Sequence, residues 1–258
     1  MKKVIVKRLA LIALSIVPMA VSAQSDFGIW TSIGAEKKIN KKWSVGLEGE
    51  WRTRNNLHTN DRWSVGVDGT YKPLKWLKFG AGYTLIYNNI EKITYHDDAD
   101  EIGQANYGKP NKRANYWGVR HRFHVEATGD VDMGRFNLSL RERWQYYYRP
   151  EKTVDERYDY DDDEMDGKPK TYSGKGKNVL RSRLQVAYDI PNCTVEPYVS
   201  AEAYNSWEIN KARYTAGAEW KITKQHVVDL YYRYQKSYND DDETAEHHTL
   251  GISYKFKF

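Results

Sequence analysis

Thr249-Leu250-Gly251-Ile252-Ser253-Tyr254-Lys255-Phe256-Lys257-Phe258 alternates from its first residue to its last. Leu250, Ile252, Tyr254, Phe256 and Phe258 form one face; Thr249, Gly251, Ser253, Lys255 and Lys257 form the other. Neighbouring side chains point to opposite sides in a strand, whereas a helix would scatter the two sets around its axis. The stretch is therefore a strand with one greasy and one polar face.

The same split recurs upstream. Trp43, Val45, Leu47, Gly49 and Trp51 alternate with Ser44, Gly46, Glu48, Glu50 and Arg52. Trp63, Val65, Val67, Gly69 and Tyr71 alternate with Arg62, Ser64, Gly66, Asp68 and Thr70. Strands are predicted over residues 27–39, 43–54, 62–72, 76–88, 115–128, 135–149, 178–190, 194–205, 211–222, 225–237 and 247–258. Most exceed the roughly 5–6 residues of soluble strands and match the roughly 9–11 needed to cross a bilayer at a tilt. Turns at 40–42, 73–75, 129–134, 191–193 and 223–224 alternate with polar loops at 55–61, 90–114, 150–177, 206–210 and 239–246. Short turns on one side and longer loops on the other are the habit of outer-membrane barrels.

The beginning of the chain agrees with export. Lys2, Lys3, Lys7 and Arg8 precede an apolar run from Leu9 to Val17 and the small-residue ending Val21-Ser22-Ala23. This is the order of a cleavable signal peptide over residues 1–23, and the run is shorter than the roughly 20 residues of a membrane helix. Residues 24–258 are then the mature barrel. Losing the four leader cations lowers the formal charge from +5 to +1, which argues against a nucleic-acid partner. The mean hydropathy of −0.83 would suit a soluble chain. In a barrel, however, only every second strand residue meets lipid, so an average hides the signal. With 21 Tyr, 9 Trp and 6 Phe the chain is too aromatic to be disordered. Cys193 is alone and forms no internal disulfide.

The expected fold is all-β: an antiparallel transmembrane barrel of about ten to twelve strands in the bacterial outer membrane. Two aromatic girdles are expected at the lipid headgroups. One holds Trp51, Trp63, Tyr87, Tyr116, Trp117, Tyr146, Tyr148, Tyr204, Tyr214 and Tyr234; the other holds Trp43, Trp76, Phe136, Tyr188, Trp220 and Phe258. Tyr254, Phe256 and Phe258 end the chain as an assembly signal does, implying the barrel assembly machinery as a partner. Eleven segments conflict with the even strand number of bacterial barrels. Either segment 27–39 stands outside the wall, or one element is misassigned.

Putting the apolar face on lipid turns a charged face inward. Four Arg-x-Arg pairs occupy it: Arg52 and Arg54, Arg120 and Arg122, Arg141 and Arg143, Arg181 and Arg183. Glu48, Glu50, Asp68, Glu126, Glu196, Glu202, Glu219 and Asp229 share the interior. A barrel this narrow favours interdigitated salt bridges that plug the lumen; a polar binding cavity or narrow channel is the alternative. Glu142 breaks the pattern by falling on the lipid face.

Three acidic loop stretches stand out: residues 97–101, 155–166 and 240–243. Asp159, Asp161 and Asp163 are candidate ligands for a divalent cation, although an EF-hand's glycine and closing glutamate are missing. Such loops would also suit cation bridges to lipopolysaccharide phosphates. His247 and His248 could supply a catalytic base, but no nucleophile motif accompanies them, and His121 and His124 fall on opposite faces. A non-enzymatic barrel with a structural, binding or permeation role is therefore the first expectation, a membrane-embedded hydrolase the remaining alternative, and no cofactor is expected.

The mature chain resembles an outer-membrane barrel family of unknown function from Bacteroidota (domain of unknown function 2490). The likeness rests on Asp26-Phe27-Gly28-Ile29-Trp30, Glu36-Lys37-Lys38-Ile39, Tyr71-Lys72-Pro73-Leu74-Lys75-Trp76-Leu77-Lys78-Phe79-Gly80, Gly82-Tyr83, Arg120-His121-Arg122 and Tyr254-Lys255-Phe256-Lys257-Phe258. It implies fold and localisation and brings no activity.

Overall fold

The computed structural model describes residues 25–97, 102–205, 209–238 and 246–258. The expected leader, Asp98, Asp100, Glu101 and the acidic run 240–243 lie outside the described residues. Six long strands come first: β1 (Ser25–Lys38), β2 (Trp43–Arg54), β3 (Thr59–Leu74), β4 (Leu77–Tyr95), β5 (Pro110–Met133) and β6 (Phe136–Arg149). Four three-residue strands follow, β7 (Lys152–Val154), β8 (Arg157–Asp159), β9 (Glu164–Asp166) and β10 (Lys170–Tyr172). Five more long strands complete the wall: β11 (Lys175–Tyr188), β12 (Val195–Asn205), β13 (Ile209–Lys221), β14 (His226–Ser237) and β15 (Glu246–Lys257).

Each long strand pairs with its neighbour in chain order, β6 passing directly to β11, and β15 returns to β1. The result is a closed barrel of eleven strands. Ten of its pairings are antiparallel; β1 and β15 run parallel, with Ser25 opposite Glu246 and Glu36 opposite Lys257. This resolves the parity conflict against both expected remedies: segment 27–39 is in the wall, and no element was miscounted. Up-and-down connections make strands one and eleven run the same way, so an odd barrel must close with one parallel pair. At this seam the Ser32 hydroxyl donates to Ser253 Oγ at 2.8 Å.

Lipid-facing and inward positions separate as the alternation requires. Ile33 is 64% exposed, Val65 and Val199 57% each, and Leu47 53%. An apolar surface this extensive, encircling the wall, has no place in water and suits acyl chains. Packed ring pairs mark the strand ends: Trp43 stacked on Tyr71 and Phe136 tilted against Tyr188 near the short turns, and Tyr87 stacked on Trp117 near the long loops. Two members of the expected girdle are corrections. Tyr116 and Tyr204 point inward, because Trp117 takes the lipid side beside Tyr116 and Tyr204 shares the phase of Tyr198 and Glu202. Glu142 does face outward. No register shift displaces it; instead the Ser182 hydroxyl of β11 donates to it at 2.7 Å.

The connections are less regular than expected. The first long-side loop shrinks to residues 55–58, where Asn55, Asn56 and Leu57 all take positive φ. It is shorter than the six-residue turn at 189–194 on the other side. Strict alternation of short and long therefore fails, while the two largest loops do lie on the same side. Hydrogen bonding explains the tight turn at 40–42: Asn40 Oδ1 accepts from the amides of Lys42 and Trp43 at 2.8 and 2.9 Å. At the next such turn but one, Gly134 takes a positive φ that side-chain-bearing residues avoid.

Parallel closure has a direct test. With Cys193→Ser as background, Ser32→Cys and Ser253→Cys should form a disulfide on mild oxidation in detergent, read as a mobility shift reversed by reductant. Absence of that cross-link in folded material would count against the seam.

Candidate functional site: the charged lumen

Ten arginines project into the middle of the barrel: Arg52, Arg62, Arg120, Arg122, Arg141, Arg143, Arg181, Arg183, Arg213 and Arg233. Three carboxylates touch them. Arg52 donates to Glu50 at 2.6 Å. Arg143 donates to Glu126 at 2.5 Å, with Arg141 3.9 Å from the same oxygen. Glu202 receives Arg141 and Arg181, each at 2.8 Å, and lies 3.9 Å from Arg213. Among the described residues Arg62, Arg120, Arg122, Arg183 and Arg233 make no ion pair. Arg122 donates instead to the Thr84 hydroxyl at 2.9 Å.

Like charges also stand opposite each other. Arg52 is the register partner of Arg62, Arg143 of Arg181, and Arg141 of Arg183. Such cross-strand pairs are unfavourable unless an opposite charge intervenes. Glu126 and Glu202 flank the second and third pairs, so those arginines are shared between carboxylates. Even so, cations outnumber anions across the waist.

The remaining acidic residues do not join this cluster. Glu196 accepts from Lys221 at 2.5 Å, with Glu219 3.8 Å from that lysine. Asp229 accepts from the Tyr198 hydroxyl at 3.0 Å. Glu48 and Asp68 are water-exposed near the short-turn side. Arg54 sits near the opposite rim, donating to Asn89 at 2.6 Å, with Asp61 and Glu91 at 3.9 and 3.8 Å. The lumen therefore has a cationic waist, and these carboxylates lie apart from it.

Aromatic side chains that alternation alone could have flagged complete the waist. Ile29 and Ile33 share one phase, so Trp30 must face in. Its ring lies 3.6 Å from the Arg52 guanidinium, 5.0 Å from Arg213 and 4.9 Å from Arg233. Tyr204 lies 4.5 and 4.7 Å from Arg181 and Arg213. Tyr198, Gly217, Tyr231, Gly251 and Trp30 are successive register partners across five strands. Glycine is required between the rings: a Cβ on Gly251 would overlap the ring of Tyr231. Gln145, with no exposure, and Ile86, 1% exposed, show that side chains fill this level.

The β4–β5 side of the long-loop mouth is covered. The β7–β10 hairpin lays Tyr172 against Tyr116 at 5.5 Å between ring centres, and Val154 and Tyr172 pack on Ile90, Ala114 and Tyr116. The β8–β9 hairpin adds to the extended edge of β5. The metal candidates diverge there. Asp159 binds Lys112 at 2.7 Å, Asp161 binds His96 at 3.0 Å, and Asp163 accepts from the Tyr158 hydroxyl. No metal-binding group of three or more ligands exists among the described residues. His247 and His248 face opposite ways, His247 to Asp26 at 3.0 Å and His248 to the Tyr232 hydroxyl at 2.5 Å.

Two outcomes follow from these contacts. Glu202→Gln would strand Arg141 and Arg181, and removing one partner of a buried ion pair costs about 3 kcal/mol; the urea midpoint in detergent should fall accordingly. The Lys112 ammonium, hydrogen-bonded to both, holds the Asp159 and Asp166 carboxyls below their usual range. A carboxyl lowered in the folded state stabilises above the unfolded value of about 3.9 and loses that effect as pH falls through the folded value. A spin label on Glu164→Cys, in the Cys193→Ser background, should thus be immobile at neutral pH and loosen only as the pH falls below the ordinary aspartate value of about 3.9. Equal mobility throughout would contradict docking by these carboxylates.

Comparison with known proteins agrees with the wall geometry. The β domain of the Bordetella autotransporter BrkA is similar, with a TM-score of 0.56 and 13% identity, over 84% of this chain and 83% of that one. The NanC porin gives 0.45 and 15%, over 90% and 98%. The first of these likenesses shows the fold, which is that of an outer-membrane barrel. A search of curated proteins returned no match. Residues 27–246 match the family described as "Protein of unknown function (DUF2490)", and the chain belongs to that family.

Proposed function

We propose that this protein is a non-enzymatic barrel of the bacterial outer membrane that acts as a narrow, selective passage for small polar solutes, preferring anions. The observation that carries this reading is the arginine waist, in which ten guanidiniums face three carboxylates. A wall at this level needs no such excess for stability, since buried charge is costly unless paired. Fixed positive charge in a low-dielectric constriction raises the local concentration of anions. The opposite orientation of His247 and His248 supports a role without catalysis.

The long loops would face the cell surface and the short turns the periplasm. Lipid and lipopolysaccharide would surround the wall, and Tyr254, Phe256 and Phe258 would be read by the assembly machinery. A fully plugged structural barrel is the second reading, favoured by the burial of Gln145 and Ile86.

Reconstitution in planar bilayers separates the two. Under a salt gradient the passage should give small discrete openings with a reversal potential of the anion-selective sign, weakened in Arg181→Gln. Silence in both would leave the plugged reading standing. Membrane fractionation of the native host should place the protein with outer-membrane markers.

A further inference from the structure

We infer that the wall formed by β2, β1, β15, β14 and β13 holds a binding site for a small organic dianion, centred on Trp30. This rests on the reading of the lumen as a selective passage and names its substrate class. Three guanidiniums converge on one indole, and a fourth, Arg181, joins through Tyr204. Against these four charges stand two carboxylates, Glu50 and Glu202. Since Glu202 is also shared with Arg141, positive charge is left over, which a divalent anion would neutralise.

The donors are free to serve it. Arg233 spends its Nε on the Thr215 hydroxyl at 3.1 Å, and among the described residues its two terminal nitrogens bond no other group. Arg213 uses Nε for Gln235 at 2.7 Å and one terminal nitrogen for the Tyr204 hydroxyl, leaving the other. Planar forks of this kind match the paired oxygens of carboxylates and phosphates. Beside them lies the ring row of Tyr231 and Trp30, in which the Tyr231 ring lies over Gly251 and carries the Arg233 guanidinium 4.6 Å from its centre. That row gives a flat carbon skeleton a surface to lie on. Since the β7–β10 hairpin packs on β4 and β5, across the barrel, it does not occupy this wall.

Isophthalate, a flat dicarboxylate, is the probe; its neutral diamide, inorganic phosphate and chloride at equal ionic strength are the comparisons. The purified full barrel in detergent is heated with each, because a ligand that binds only the folded state raises the unfolding temperature. A tenfold excess over its Kd should give isophthalate a shift of roughly 3–6 °C, phosphate a smaller one, and the diamide and chloride none. Arg233→Gln should lose the isophthalate shift while its ligand-free unfolding temperature stays equal or rises, since like-charge repulsion is relieved; a merely structural arginine would lower it. Arg233→Lys, with charge but no fork, should keep a weakened shift. No shift in the wild type overturns the site, whether or not any variant folds. Equal shifts with the diamide, or an undiminished shift in Arg233→Gln, also overturn it. The measurement needs no membrane, so a barrel that binds isophthalate but conducts nothing would sink the passage and keep the site.

Discussion

Every strand in this wall must find a hydrogen-bonding neighbour on both edges, because the surrounding medium offers none. An unpaired backbone amide or carbonyl in hydrocarbon costs several kcal/mol, so the sheet closes. Closure, in turn, fixes which direction each side chain points. The apolar girth of Ile33, Leu47, Val65 and Val199 and the arginine-rich interior are two aspects of the same pleat. The parallel seam shows how strong the demand is: eleven strands cannot close antiparallel throughout, and the chain accepts one slanted ladder rather than leave two edges bare.

Inside, the same alternation creates a problem that the side chains only partly solve. Arginines placed in register on adjacent strands repel, and Glu126 and Glu202 relieve the pairs on β6 and β11 by sitting between forks. Around Trp30 relief takes another form. Guanidiniums stack on indole and phenol rings, an attraction of about 0.5–2 kcal/mol each that offsets some loss of hydration without cancelling charge. The waist is thus tolerable in an unliganded barrel and still electropositive.

Much of this was written in the chain. Period-two patterning located all eleven wall strands, with Trp43–Arg54 placed to the residue, and the inward phase of the Arg-x-Arg pairs followed directly. What escaped was long-range or one residue out of step. Tyr116 and Tyr204 look like girdle residues because they lie near strand ends, yet phase, not position, decides their side. The short strands β7–β10 carry no pattern long enough to detect and depend on docking to β5 and Tyr116. Arg213 and Arg233 lack a neighbouring Arg to draw attention, and only closure of the cylinder carries them to Trp30. The direction of closure was the subtlest loss, since no local residue announces a parallel partner.

That partner has a topological price for anyone wishing to rewire the molecule. Ser25 lies at the rim opposite Phe258, which is bonded to Lys38 and Glu36 at the far end of β1. A circular permutant therefore cannot be made with the few residues that join neighbouring ends in an even cylinder. Its linker would have to traverse the full height of the wall, and a linker doing so between β15 and β1 would become a twelfth stave, running opposite to both.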